Sequence, residues 1–237
     1  MKITSNNILQ FWALNIILLF GFACATPLTF LAPNYASIKP ACIAVLPAIN
    51  ETADADAPNV FRILAMAELA DKGYKLIDID RIDEALKQKG IYEGGQIEAL
   101  TAQEIGKLVG ADGLLYIRVM SFGRQIGVHL RMEGSFTLVD AKTGEKIWYS
   151  ELSASDDIVL EGGMVLLGAE LMAGKDKQKK ATAAYLAYRK ARIDRAVIKF
   201  RAHPLRQQIF QYIKVDMDKI PLLDDFFSRN FRTLPSA

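Results

Sequence analysis

Cys24 is the residue whose type and position most directly suggest chemistry. It follows Gly21-Phe22-Ala23, a stretch similar to the lipobox at which a cysteine thiol is alkylated with diacylglycerol and then becomes the first residue of the mature chain. Gly21 stands where leucine is usual, and Phe22 is bulky for the peptidase. A second cut is written into the same residues: Ala23-Cys24-Ala25 suits the ordinary signal peptidase, with Thr26 as the new first residue. Both readings need an export leader upstream. Met1-Lys2 gives it a weakly positive start, and the run from Ile8 to Phe20 an apolar centre, broken only by Gln10 and Asn15. An uncleaved membrane anchor is the third reading, since the run is about long enough to span a bilayer.

Other reactive types are sparse. Asn50, Glu51, Asp54 and Asp56 form an acidic loop. Paired carboxylates serve hydrolases, and clustered oxygens serve calcium, but Asp and Asn also favour turns and helix caps for their own local reasons. His129 and His203 are the two imidazoles, and neither has a cysteine or carboxylate at metal-ligand spacing. Cys42 leads an apolar run and reads as a buried, inert thiol. No phosphate-binding glycine loop and no nucleophile elbow occurs, and the pairs Gly94-Gly95 and Gly162-Gly163 read as turns or close packing. No catalytic residue, cofactor or metal site is expected, and the chain is read as a non-enzyme. An enzyme working through the acidic loop, on cell-wall material for example, is the competing class.

The charge points the same way. A net charge of +2 gives no global case for nucleic acid. The basic residues are nevertheless concentrated: Lys175 to Arg206 holds eleven Lys and Arg against two Asp. On a helix over 181–201, Leu186, Ile193, Val197 and Phe200 share one face, and Tyr188, Arg192, Arg195 and Lys199 the opposite one. Arg192, Arg195 and Lys199 are thus candidate contacts for anionic lipid headgroups or an acidic partner. A solvated helix face is the plain alternative, with Asp216, Asp218, Asp224 and Asp225 at hand to neutralise part of it.

The elements that would carry these residues follow from periodicity. Residues 1–24 are the leader. Pro27, Pro33 and Pro40 make 25–40 read as an extended tether. Ile43 to Pro47 is a buried strand, apolar on both sides. A helix from about Asn59 to Lys72, apolar mainly on the side that carries Phe61 and Leu64, ends at Gly73. Tyr74 to Ile79 is a strand, and Asp80 caps a helix from Arg81 to Lys89. Thr101 and Glu104 form a capping box for a helix that closes at Gly110. Leu114 to Met120 is a third strand. From Val128 the alternation is strict, with Met132, Phe136 and Leu138 inward and His129, Arg131 and Glu133 outward. Asp140 to Gly144 is a hairpin turn, and Glu145 to Ser153 is the returning strand. The expected fold class is α/β over 41–156, a mixed sheet with helices packed on it, followed by a helical segment over 157–237. Within that segment Ile158 to Gly174 is apolar and glycine-containing, suited to a packing helix or a self-association surface, with membrane contact as the sharper alternative.

Six motifs carry a resemblance: Ile43-Ala44-Val45-Leu46-Pro47, Asn50-Glu51-Thr52, Asp54 to Pro58, Leu69 to Tyr74, Gly110 to Tyr116, and Leu138 to Trp148. In this order they resemble a family of bacterial lipoproteins of unknown function that includes neisserial surface-antigen lipoproteins. The match covers about Ile43 to Ser155 and, weakly, the glycine-rich apolar stretch after it, while the basic segment from Lys175 departs from the family pattern. The resemblance implies a fold similar to the TolB N-terminal domain and to the periplasmic domain of the curli secretion-channel lipoprotein. It also implies an outer-membrane, lipid-anchored protein of the periplasmic side, carrying palmitate-type acyl chains on Cys24. Its implied partners are envelope proteins, a curli-secretion-type lipoprotein among them, with a second copy of the chain as a further candidate. It brings no cofactor and no catalytic residue.

Overall fold

A computed structural model describes residues 27–125, 129–157, 175–212, 217 and 219–237. Among them a seven-stranded mixed sheet runs in the order β1-β7-β6-β5-β2-β4, with β3 pairing β5 off this path. The strands are β1 (Leu28–Leu31), β2 (Cys42–Val45), β3 (Ile49–Asn50), β4 (Lys75–Leu76), β5 (Gly113–Gln125), β6 (His129–Asp140) and β7 (Lys146–Asp157). The helices are α1 (Tyr35–Ile38), α2 (Ala57–Asp71), α3 (Ile79–Lys87), α4 (Ala102–Val109), α5 (Lys175–Ala202) and α6 (Lys219–Asn230).

The parallel part sits where the apolar run of β2 predicts it. β2 pairs in parallel with β4 on one side and β5 on the other. Ile43 and Val45 enter the core under α2, while Ala44 and Leu46 enter a second core under α3 and α4. The chain leaves β2 through α2 to reach β4, and returns through α3 and α4 to reach β5. The first connection leaves the carboxyl end of β2 over one face of the sheet, and the second leaves β4 and crosses the other face.

The antiparallel part is a long meander. β5 pairs β6 and β6 pairs β7, with Phe136 opposite Ile117 and Ser150. Met132, Phe136 and Leu138 are fully buried, and Glu133 and Thr137 on the other face are half-exposed. Gly144 adopts φ +78°, and the Asp140 carboxylate accepts the N–H of Lys142 at 2.6 Å, so the hairpin turn is built as its sequence requires.

Four local expectations are corrected. Residues 28–38 are not an extended tether: β1 pairs β7 from Leu28↔Glu151 to Leu31↔Trp148, and Tyr35 is buried. The 74–79 strand is only two residues long, because Asp78 caps α3 by accepting from the N–H groups of Asp80 and Arg81. Asp80 therefore lies inside the helix it was expected to cap. Helix α2 is buried all round from Val60 to Leu69, not on one side. The reason is the fourth correction. The described residues after 174 are not a segment set apart from the 41–156 domain: Phe200, Ile209, Leu223, Phe226, Phe227 and Phe231 join the same core and cover the outer side of α2.

Phe61 shows how this works. Its ring meets Phe136 on the sheet at 6.2 Å and Phe226 and Phe227 on α6 at 5.5 and 5.3 Å. Polar fasteners register α6 on β7: Trp148 Nε1 donates to Thr233 Oγ1 at 3.1 Å, and Ser150 Oγ donates to Asn230 Oδ1 at 2.8 Å. Farther along, Tyr35 donates to the Tyr74 hydroxyl at 2.6 Å and Tyr74 to the Pro235 carbonyl at 2.7 Å. Burial, reinforced by Tyr74, pushes the Tyr35 hydroxyl's pKa well above the ordinary phenol value.

Candidate functional site

Cys24, the expected lipidation site, lies outside the described residues, as do the rest of the leader and the apolar stretch 158–174. What the structure does place is the first described strand. β1 opens at Leu28, four positions after Cys24, and forms an edge of the sheet. Leu28, Phe30 and Leu31 are all exposed, with Leu28 at 67%. Lys146 Nζ stands 5.6 Å from the Phe30 ring and 4.9 Å from the Tyr149 ring. Among the described residues no helix is long and apolar enough to cross a membrane.

The basic helix is α5. Arg195 and Lys199 are exposed and Arg192 is half-buried. Lys199 is not a free cation, because it grips both carboxylate oxygens of Asp224 on α6 at 2.7 and 2.9 Å. The expected apolar face docks only at its far end. Ala196 and Phe200 are buried and Val197 is packed against the core, whereas Leu186, Tyr188 and Ile198 are exposed.

The acidic loop is a turn. Asn50 Oδ1 accepts the N–H and the hydroxyl of Thr52 at 3.0 and 2.8 Å, and the Asp54 carboxylate accepts the Asp56 N–H at 2.9 Å. Lys219 Nζ lies 3.8 Å from Asp54. Glu51 is engaged by Arg118 on β5, which also reaches Glu98 at 3.3 Å. Among the described residues no group of three or more His, Cys, Asp or Glu could hold a metal ion. Cys42 is half-buried, and loss of solvent pushes its thiol pKa up, away from the reactive thiolate.

His203 ends α5 and has a positioning role. Its Nδ1 accepts the N–H groups of Leu205 and Arg206 at 3.1 and 3.2 Å, so Nε2 carries the proton and donates to Asp71 Oδ1 at 3.1 Å. It thereby caps the turn that delivers Arg206. Arg206 is 8% exposed and binds Glu68 at 2.9 Å and Asp71 at 2.7 Å on α2. Burial raises the Glu68 carboxyl's pKa, and Arg206 pulls the other way.

A second buried cation, Arg62, floors a crevice of about 520 Å³ at the carboxyl end of β2. Its Nε donates to the Val45 carbonyl at 2.9 Å, and its Nη1 pairs with Asp83 on α3 at 2.7 Å. Desolvation pulls its pKa down, opposed by Asp83. The crevice lies between α2, α3 and the 91–95 loop. Gly94 closes it: a methyl group there would overlap the Ala48 carbonyl, whereas one at Gly95 would meet open space. Gly94→Ala is therefore expected to lower stability by about 1–3 kcal/mol, with Gly95→Ala near neutral, in thermal unfolding of the two variants.

Neither buried arginine was picked out from sequence. The available signal was Glu68 in the apolar row of Phe61 and Leu64: a carboxylate on a buried stripe demands a cation from elsewhere in the chain.

Taken together, the sheet with helices on both faces of its parallel half defines a mixed α/β domain. Residues 33–184, more than half of the chain, match the family model described as "Putative lipoprotein GNA1162-like". The chain belongs to this family of lipoproteins, a class of the cell envelope. A lipoprotein of Neisseria meningitidis serogroup B is 26% identical over 123 residues, 51% of this chain and 57% of that protein. The chain thus matches little more than half the length of that curated relative. Among solved structures, lipoprotein GNA1162 from Neisseria meningitidis has a TM-score of 0.46 and 24% identity, over 57% of this chain and 100% of the other. The PelC dodecamer from Paraburkholderia phytofirmans has a TM-score of 0.41 and 16% identity, over 67% and 90%.

Proposed function

We propose that this protein is a lipid-anchored, non-enzymatic component of an envelope protein complex, held on the periplasmic side of the outer membrane through Cys24. The observation that carries this reading is the position of β1. Four residues of extended chain reach roughly 13 Å, so an acylated Cys24 would hold the domain against the bilayer, with Leu28, Phe30 and Leu31 exposed at the attached end. Acyl chains of the lipoprotein type give more than one hydrocarbon anchor, which suffices for stable attachment. Envelope proteins are the proposed partners, a curli-secretion-type lipoprotein or a second copy of the chain among them.

Metabolic labelling with a palmitate analogue tests the anchor. Label is expected on the wild type and lost in Cys24→Ala. An unlabelled wild type, or label that survives the substitution, rejects it. Cross-linking in the native envelope followed by detergent extraction tests for the complex.

A second reading uses α5 on anionic lipid. It is favoured by Arg195, which stands exposed on a helix that also exposes Leu186, Tyr188 and Ile198. Arg195→Glu is the cleanest probe, because reversing Lys199 would also set a carboxylate against Asp224. Salt-insensitive binding to anionic vesicles, or binding unchanged by Arg195→Glu, rejects this reading.

A further inference from the structure

We propose that the crevice at the carboxyl end of β2 is a binding site for a small zwitterion, an amino acid or short peptide bound through its carboxylate. Three observations converge there. The first is topological. In sheets with parallel strands, ligands bind outside the carboxyl ends of the strands, and the crevice lies beyond that end of β2 with about 520 Å³, within the range of small-molecule sites.

The second is Arg62. Its side chain is 6% exposed, its Nε donates to the Val45 carbonyl and its Nη1 lies 2.7 Å from Asp83 Oδ1, while among the described residues neither its Nη2 nor Asp83 Oδ1 has a hydrogen-bond partner. A buried guanidinium nitrogen left unpaired is costly, and a carboxylate oxygen is the group that satisfies it best.

The third is the start of α2. Asp56 occupies the capping position without a side-chain hydrogen bond to the helix. Pro58 and Asn59 of the first turn line the same crevice as Arg62. The helix therefore presents its positive end there without a capping side chain.

The remaining lining narrows the class. Arg62 is already paired with Asp83, and the lining holds Glu93 as well as Lys87, so the crevice is not uniformly basic. A polyanion would meet two carboxylates. A molecule that carries both an ammonium and a carboxylate fits both signs. Pro47, Ile49, Leu86 and Ile91 offer an apolar wall for a small side chain, and exposed Tyr92 stands at the opening.

The test uses the full chain in detergent micelles and alanyl-alanine as the probe, read by saturation-transfer NMR of its methyl groups. Saturable transfer in the millimolar range is expected. Alanyl-alanine amide, which lacks the carboxylate, is expected to bind at least about ten-fold more weakly. Substituting Arg62 risks the fold, so the informative variant is Asn59→Asp. It places a negative charge beside the proposed carboxylate, at a first-turn position where aspartate favours the helix, and is expected to weaken alanyl-alanine about ten-fold. Absence of saturable transfer, equal binding of dipeptide and amide, or unchanged binding by Asn59→Asp would each overturn the proposal. Displacement of the dipeptide by inorganic phosphate at equal concentration would reassign the crevice to simple anions and overturn the peptide class.

Discussion

A chain cut after Ala184 is expected not to fold, even though it retains every residue that matches the family model. The core explains why. Residues beyond the cut supply Phe200, Ile209, Ile220, Leu222, Leu223, Phe226, Phe227, Phe231 and Leu234, all buried. At about 1.5–3 kcal/mol for each fully buried large side chain, their loss amounts to more than 10 kcal/mol, comparable to the whole stability of a domain. It would also expose Phe61, Phe136 and Trp148 together as a contiguous apolar surface. The expected result is a soluble fraction near zero, or a product without a cooperative thermal transition. A truncated chain that melted cooperatively near the wild-type temperature would show that the two halves are separate domains.

The second large effect is expected at Arg206. In Arg206→Ala, Glu68 stays buried on α2 and loses its cation, a situation that typically costs about 3–5 kcal/mol. The loss has a predictable pH dependence. Burial already raises the Glu68 pKa above its unfolded value. A raised carboxyl favours the folded state at acidic pH, and that contribution disappears as pH rises through the folded value. Removing Arg206 takes away the opposing pull and raises it further. The variant should therefore lose least near pH 5 and most near pH 8 in urea denaturation. Glu68→Leu combined with Arg206→Met should recover most of the stability, because apolar replacements of a buried pair are often neutral or better. A loss below about 1 kcal/mol, the scale of an exposed pair, and equal at both pH values would show that the pair is not energetically buried.

Much of the frame was legible because its signals are local. The Thr101–Glu104 capping box, with Glu104 accepting the Thr101 N–H at 2.8 Å, is a four-residue motif. The φ of +76° at Gly110 needs only the absence of a side chain. The alternation through Met132, Phe136 and Leu138 fixes a face by period alone. The misreadings are non-local. Whether residues 28–31 trail as a tether or pair with β7 depends on a partner strand more than a hundred positions away. Whether α2 has one apolar side or none exposed depends on where α6 comes to rest. Arg62 carried no sequence mark, since an arginine in a helix is ordinarily a surface residue, and only the crevice around it gives it meaning. Lys199 was legible as a cation, but its pairing with Asp224 follows from the crossing of two helices.

The junction at Tyr74 has a consequence for how such a chain is made. Tyr74 joins Tyr35 to Pro235, Lys72 donates to the Leu234 carbonyl at 2.6 Å, and the Ala237 N–H reaches the Lys72 carbonyl at 2.9 Å. Contacts this distant in sequence slow folding, since the loop must close before any of them is gained. The contacts of Leu234, Pro235 and Ala237 can tighten only after those residues have been made. Late closure of this kind would suit a chain that has to cross a membrane unfolded, as the proposed anchoring through Cys24 requires.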